Sequence, residues 1–255
     1  MKTRHLVAFT FILAFSFFIP GGWSHAADPI PGINIEIGTS EGTEGTANTL
    51  TIILLITILS LAPSILVMMT SFTRIVIVLG FVRTSLATQQ MPPNQVIIGL
   101  ALFLTLFVMA PTFGEINRVA LQPYLSGEID QTEALQKAAV PIKRFMAAHT
   151  RENDLKLFLD YSNAEKPSGI DDIPLTALIP AFAISELRTA FQMGFMIFVP
   201  FLVIDMIVSS TLMAMGMMML PPVMISLPFK ILLFILVDGW YLVVKSLLLS
   251  FQQVY

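Results

Sequence analysis

Side chains able to carry out covalent or metal chemistry are scarce in this sequence. It contains no cysteine and three histidines, His5, His25 and His149, so disulfides, thiolate metal sites and cysteine nucleophiles are excluded. It has neither a glycine-rich phosphate-binding motif nor a Ser/His/Asp arrangement. We therefore expect no enzyme activity, no cofactor and no bound metal.

The most unusual side chains belong to residues 213–222, which read MAMGMMMLPP. Methionine is apolar and rich in rotamers, so it commonly fills irregular gaps at a helix end. The same properties suit a seal that closes an empty channel and reshapes around any passing side chain. Gly216 permits a non-helical backbone, and Pro221 and Pro222 end the helix. The residues predicted to form such a seal are Met215, Gly216, Met217, Met218 and Met219.

Three charged residues, Asp205, Lys230 and Asp238, lie in strongly apolar surroundings. A charge at the bilayer centre costs about 2.5–3.5 kcal/mol on insertion scales. One interpretation is that these residues line a pore or couple transport to protons. The other is an ion pair between helices or subunits, and Lys230 with Asp238, on roughly the same side of one helix, is the expected pair.

The composition predicts that hydrophobic segments position these residues. The chain is 55% hydrophobic and 12% charged, whereas a soluble domain carries about 25% charged residues. This indicates a membrane protein, and no basic patch suited to nucleic acid is present. We expect contacts with membrane lipid and none with nucleic acid.

The N-terminus has the pattern of a secretory signal. Lys2 and Arg4 precede an apolar stretch, and small residues lead up to Ala26, which is typical of a cleavable signal peptide cut after Ala26. A retained membrane anchor is the alternative. The predicted organisation is a signal peptide at 1–26, a flexible leader at 27–48, a first hydrophobic hairpin at 49–110, a helical insert at 111–188 and a second hairpin at 189–255.

The insert shows helical signals. Asp130 and Glu133 suit a helix start, and apolar residues from Leu135 to Phe145 recur at spacings of three and four. Thr150 is expected to cap a second helix that carries Phe158. The predicted fold class is therefore an all-α membrane protein with four long hydrophobic helical segments in two hairpins and a helical periplasmic insert.

Orientation follows from the basic residues that flank the apolar segments. Arg74 and Arg83 follow the first segment with no acid nearby, which predicts a cytoplasmic loop. The mature N-terminus, the insert and the C-terminus are then expected on the periplasmic side of the bacterial inner membrane.

Three stretches resemble one known family. Residues 179–240, IPAFAISELRTAFQMGFMIFVPFLVIDMIVSSTLMAMGMMMLPPVMISLPFKILLFILVDGW, closely resemble the FliP family of flagellar type III export-gate proteins, which is related to the SctR proteins of virulence injectisomes. Residues 69–86, MTSFTRIVIVLGFVRTSL, and 92–111, PPNQVIIGLALFLTLFVMAP, resemble it as well. The first of these two is closer to the flagellar branch.

The resemblance implies an all-helical subunit of a pentameric ring in the flagellar basal body. Its implied partners are further copies of itself, FliQ- and FliR-like gate subunits, other export-apparatus proteins and unfolded flagellar cargo. It favours the seal interpretation of the methionines and implies that the hairpins can be raised toward the periplasm. The alternatives are an injectisome gate subunit and a proton-coupled small-solute transporter; inverted repeats expected of the latter are not visible.

A ring predicts contacts between copies through the insert. Two helices cannot bury all their apolar faces within one copy, and exposed apolar surface marks partner sites. The residues predicted at this subunit interface are Phe145, Phe158 and Glu186. The alternative for the two aromatic residues is that they pack on each other within one subunit.

Overall fold

The computed structural model describes residues 52–53, 56–57, 59–61, 64–65, 67–88, 91–162, 167, 169–217 and 219–252. The predicted signal peptide, with its cleavage site at Ala26, and the predicted leader lie outside the described residues. Throughout the described part of the chain, regular structure is helical, which confirms the all-α class. The described helices from residue 72 onward all belong to the compact unit Ile58–Tyr255.

The helices have well-defined bounds along the chain. In the described residues from 72 onward, the helices are α1 Phe72–Ser85, α2 Asn94–Ile116, a π-helical turn Asn117–Leu121, α3 Gln122–Leu125, α4 Gln131–His149, α5 Glu152–Tyr161, a 3₁₀ turn Ile170–Asp172, α6 Leu175–Ala214, α7 Pro222–Leu236 and α8 Gly239–Gln252.

Two helical stretches in the described residues are long and apolar enough to cross a membrane. Asn94–Leu125 has 32 residues, and Leu175–Ala214, which is α6, has 40. At 1.5 Å per residue α6 is about 60 Å long, roughly twice the ~30 Å hydrocarbon core of a bilayer. A third candidate span is α7 with α8, if their 61° bend lies within one span. The sequence-assigned boundaries at 110/111 and 188/189 both fall inside continuous helices, α2 and α6.

The long helix α6 organises the packing. Helix α1 lies parallel to its middle part, with Arg74 beside Glu186 and Phe81 5.4 Å from Phe191 between ring centroids. Helices α4 and α5 pack against its N-terminal part, and α7 runs antiparallel to its C-terminal part. Together these contacts bury a core formed by Ile75, Val78, Leu79, Val82, Phe145, Met146, Leu178, Phe182 and Leu247.

The insert helices begin where local signals place them, with one exception. The Asp130 carboxylate accepts a hydrogen bond from the Glu133 amide at 2.7 Å and so caps α4, as predicted. The prediction that Thr150 caps the next helix is wrong. Its hydroxyl donates to the Met146 carbonyl at 2.7 Å, one turn back in α4, and Arg151 occupies the N-cap of α5.

Candidate functional site

The methionine loop, residues 215–221, connects α6 to α7. Helix α6 ends in a Schellman motif: the Gly216 amide donates to the Met213 carbonyl and the Met217 amide to the Leu212 carbonyl, both at 3.0 Å. Gly216 has φ of +75°, the left-handed conformation that glycine adopts without steric cost. Pro222 is the first residue of α7. The non-helical backbone predicted for Gly216 is confirmed, and it fixes the turn at the end of the hairpin.

The methionine side chains of this loop point away from the core of their own subunit. Met215, Met217 and Met219 are 60%, 48% and 98% exposed, while Met218 lies outside the described residues. A methionine that fills a gap at a helix end would be buried, so gap-filling within the subunit does not account for these three. They form an apolar, flexible tip that remains free to contact another molecule.

Two charged residues behind the tip hold the hairpin together. The two Asp205 carboxylate oxygens accept hydrogen bonds from Ser226 Oγ and from Lys230 Nζ, each at 2.6 Å. Lys230 is only 2% exposed, so the ion pair keeps its ammonium group from being buried alone. This contact fixes α7 against α6 about three turns from the methionine loop.

The predicted pairing of Lys230 with Asp238 is wrong. Helix α7 ends at Leu236, and Asp238 adopts φ of +51° in the break before α8. The chain direction changes by 61° there, so Asp238 does not continue the helical face of Lys230. Of the three charges expected to be buried, Lys230 is buried, Asp205 is half-buried and Asp238 is exposed.

A second ion pair joins three helices. Arg74 Nε donates to Glu186 Oε2 at 2.9 Å, and a second guanidinium nitrogen contacts the other carboxylate oxygen. Arg74 Nη1 also donates to Ser250 Oγ at 2.9 Å, and the guanidinium lies 4.1 Å from the centroid of the Phe251 ring. The two charged side chains are 4% and 0% exposed. The prediction that Glu186 meets a neighbouring copy is therefore corrected, because its carboxylate is enclosed by its own chain.

The aromatic residues predicted at the subunit interface divide between core and surface. Phe145 is buried, with its ring 6.0 Å from Phe182 and 6.3 Å from Phe251 between centroids. Its neighbours thus come from α6 and α8 of the same chain, which corrects its assignment as an exposed anchor. Phe158, on α5, is half-buried and stays a predicted contact between copies.

His149 lies beside this aromatic core at the end of α4. Its Nδ1 is hydrogen-bonded to the Phe145 carbonyl at 2.8 Å, and its Nε2 is buried without a hydrogen-bond partner. Burial lowers the pKa of His149, and the nearby Arg74 charge lowers it further. The neutral ring is thus the favoured form.

The insert is attached to α6 by a polar cluster that the sequence analysis missed. Arg151 Nε and Nη2 donate to the two oxygens of Asp154 at 2.9 and 2.6 Å, and Ser185 Oγ donates to Asp154 Oδ2 at 2.6 Å. The hydrogen bonds from Arg151 hold the pKa of Asp154 below its usual value. Arg151 and Asp154 are close in sequence, but nothing near them in the chain points to Ser185.

Comparison with known proteins identifies the family. The sequence model of the FliP family matches residues 55–247. The flagellar biosynthetic protein FliP of Bacillus subtilis is 66% identical over 217 residues, covering 85% of this chain and 98% of that protein. Those of Caulobacter vibrioides and Aquifex aeolicus are 51% and 48% identical, covering 87% and 88% of this chain and 82% and 92% of theirs. The family match over residues 55–247 and these identities show that the chain belongs to the FliP family.

Proposed function

We propose that this chain is a core channel subunit of the flagellar type III protein export gate, and that unfolded flagellar proteins cross the inner membrane through it. Relatives named flagellar biosynthetic proteins align with nearly the whole chain, and its two longest apolar helices can each cross a bilayer. Its role is that of a structural channel component rather than an enzyme. The flagellar names of the relatives favour this function over an injectisome gate.

We propose that several copies, five by family resemblance, assemble into a ring with FliQ- and FliR-like subunits and other export-apparatus proteins. A single copy leaves large apolar side chains uncovered on several helices, including Phe103, Phe195, Met206 and Leu236. Contiguous apolar surface of this kind needs lipid or protein neighbours. Phe158 on the insert is a proposed contact between copies.

The proposed ring contains two helical hairpins per copy, and the methionine loops meet in its lumen. The main support for this proposal is that Met215, Met217 and Met219 are exposed at the end of a hairpin. The left-handed conformation of Gly216 fixes the backbone of the turn there. Unbranched thioethers from several copies can fill a lumen when it is empty and yield to a passing chain. The same proposal includes a signal peptide, a periplasmic insert and C-terminus, and a location in the flagellar basal body.

The experiment removes the reach of the loop side chains. Replacing Met217, Met218 and Met219 together with alanine should leave assembly intact but raise the ion conductance of the purified complex in planar bilayers. Alanine is apolar as well, so the change tests side-chain length rather than polarity. Conductance at the wild-type level, with normal amounts of assembled complex, would refute the seal.

The chain offers a matched control for this experiment. Met196, Met206 and Met224 are also exposed, at 72%, 63% and 65%, but lie on α6 and α7 outside the loop. Their triple replacement by alanine removes the same number of thioethers from the same hairpin. We expect it to leave the conductance unchanged; equal conductance in both triple variants would indicate general loosening of the hairpin instead of loss of a seal.

A further inference from the structure

The C-terminal part of α6 contains a proline at which the helix loses a hydrogen bond. Pro200 has no amide hydrogen, so it cannot donate to the Met196 carbonyl as another residue would. The helix continues through this position to Ala214. Pro200 is exposed, so its ring is not part of the buried core. This position is therefore a point of reduced bending stiffness in α6.

The other limb of the hairpin is interrupted at the same level. Helices α7 and α8 meet at 61° around Asp238, a non-glycine residue in the left-handed region at φ of +51°. The ring of Phe234 lies 6.3 Å from Phe201, next to Pro200, and 5.5 Å from Trp240, just beyond the break. The Phe234 ring thus contacts a residue next to Pro200 and a residue just beyond the break at Asp238, so the two weak points of the hairpin lie side by side.

Beyond this level the hairpin is stiffened by the charged cluster. Helix α7 also contains a proline, Pro228, but Ser226 and Lys230 on either side of it both donate to Asp205 on α6 at 2.6 Å. The carboxylate therefore bridges the point at which Pro228 weakens α7. It also prevents α7 from sliding along α6, because both of its oxygens are engaged by directed hydrogen bonds.

The contacts at the level of Pro200 are of a different kind. Within the described residues, the ring contact found between α6 and α7 at this level is that of Phe201 with Phe234, and Trp240 contacts Phe234 from α8, just beyond the break. These ring contacts contain no hydrogen bond or ion pair, and an aromatic pair has more than one favourable geometry, so they restrain a change of tilt less than the Asp205 cluster does. A β-carbon at Gly239 would lie 2.3 Å from the Phe234 ring, so glycine is what allows α8 to approach this ring closely.

We propose that Pro200 and Asp238 form a paired hinge, and that the distal hairpin, residues 201–217 and 219–236, tilts about it as one rigid body. The methionine loop at its end is then displaced as a whole when cargo passes, in addition to any rearrangement of the methionine side chains. This inference rests on the proposed function of the loop as a seal. It identifies where the subunit bends when that seal opens.

The first test stiffens one limb. Pro200→Ala restores an amide donor to α6, and an additional hydrogen bond of ordinary strength shifts a two-state equilibrium by roughly fivefold. Secretion of flagellar subunits by cells carrying this variant should fall by about that factor, with normal assembly on native gels. Pro228→Ala is the matched control, because Pro228 is also exposed in a helix but is already bridged by Asp205. We expect it to export at the wild-type rate.

The second test loosens the other limb. Asp238→Gly removes the steric constraint at a positive φ and widens the range of accessible backbone angles, so resting ion leak should increase although every methionine is retained. Asp238→Asn removes the same charge but keeps a residue that tolerates the left-handed region. It should leak no more than wild type, which separates backbone freedom from charge.

The outcomes distinguish the hinge from the seal. Wild-type export by Pro200→Ala, or equal losses in both proline variants, would overturn the hinge. So would equal leaks from the two Asp238 variants. If these results occur while the methionine-loop triple variant still raises conductance, the seal stands without the hinge. If the loop variant does not raise conductance, the proposed function itself fails.

Discussion

Removing the charge of Arg74 should destabilise the subunit strongly. Its guanidinium contacts both oxygens of Glu186 and donates to Ser250, while both members of the ion pair are almost completely buried. Arg74→Met keeps most of the apolar stem but leaves the Glu186 carboxylate enclosed without its cation. Breaking a buried pair in this way costs about 3–5 kcal/mol. Arg74→Met also removes the hydrogen bond to Ser250. This loss does not add a full separate cost to the ~3–5 kcal/mol, because the free energies of contacts within one hydrogen-bonded network are not additive.

The assay is thermal unfolding of the purified protein in detergent, followed by the helical circular dichroism signal. For a chain of this size each 1 kcal/mol corresponds to about 2–4 °C in Tm, so the expected decrease is roughly 6–20 °C. Arg83→Met is the matched control on the same helix. Arg83 donates to Asn94 in an exposed contact, and exposed polar contacts contribute about 0–1 kcal/mol. Its variant should unfold within a few degrees of wild type.

A double variant tests whether the unpaired buried carboxylate causes the loss of stability. Replacing Arg74 with Met and Glu186 with Leu removes both charges, so no buried carboxylate remains without a partner. Its Tm should lie closer to wild type than that of Arg74→Met. A double variant less stable than Arg74→Met, or equal losses for Arg74→Met and Arg83→Met, would show that the burial of an unpaired charge is not the cause.

Three further perturbations have distinct expected outcomes. Burial lowers the pKa of His149 in the folded chain below about 6.5, its ordinary value. The corresponding stability is fully present above about pH 6.5 and is lost as the pH falls below that value and through the folded pKa, so His149→Gln should show a flatter decline of Tm between pH 7 and pH 5. Gly194→Ala places a β-carbon 2.3 Å from the Phe81 ring and should cost about 1–3 kcal/mol by overpacking, with recovery of Tm when Phe81→Leu is added. Ser185→Ala removes a 2.6 Å hydrogen bond to Asp154, worth about 1.5–3 kcal/mol, and should raise the rate of proteolysis within α5 without affecting α7.

Features that depend on a few neighbouring residues were predictable from the sequence. Asp130 caps α4 because a carboxylate at this position can reach the amide three residues later, and Gly216 ends α6 because it adopts a positive φ. Gly216 ends α6 and Pro222 begins α7. The methionines between them therefore lie in a short connecting loop, where their side chains are exposed. None of these features needs knowledge of a distant partner.

The choice of partners was not predictable in the same way. The sequence favours Asp238 as the partner of Lys230 because both lie on one apolar segment. The break before α8 removes Asp238 from that helical face, and Asp205 of the antiparallel helix supplies the carboxylate. The apolar periodicity from Leu135 to Phe145 correctly indicated a helix with one apolar face, of which Leu135 is exposed and Phe145 is buried. It could not indicate that α6 and α8 of the same chain cover that face, because such contacts are set by tertiary packing.

The ion pair of Arg74 with Glu186 also constrains the depth of these helices in the membrane. The positive-inside rule predicts Arg74 on the cytoplasmic side of the first apolar segment, whereas Glu186 is expected at the periplasmic end of the third. Atoms in direct contact lie at one depth, so these two positions cannot be on opposite surfaces of a ~30 Å hydrocarbon core. Helix α1 runs parallel to α6 from the level of Arg74. Arg83, nine residues later, therefore lies only about 14 Å from Arg74 along the helix axis.

The positive-inside rule describes basic residues in loops that face water. A guanidinium enclosed by a carboxylate and a phenyl ring of its own chain is compensated wherever the helix lies, so Arg74 carries no information on orientation. The cytoplasmic assignment of the loop therefore depends on Arg83 alone. A first hairpin that enters the apolar layer by less than its full thickness satisfies both the ion pair and the hydropathy, and it accords with the raised hairpins that the FliP resemblance implies.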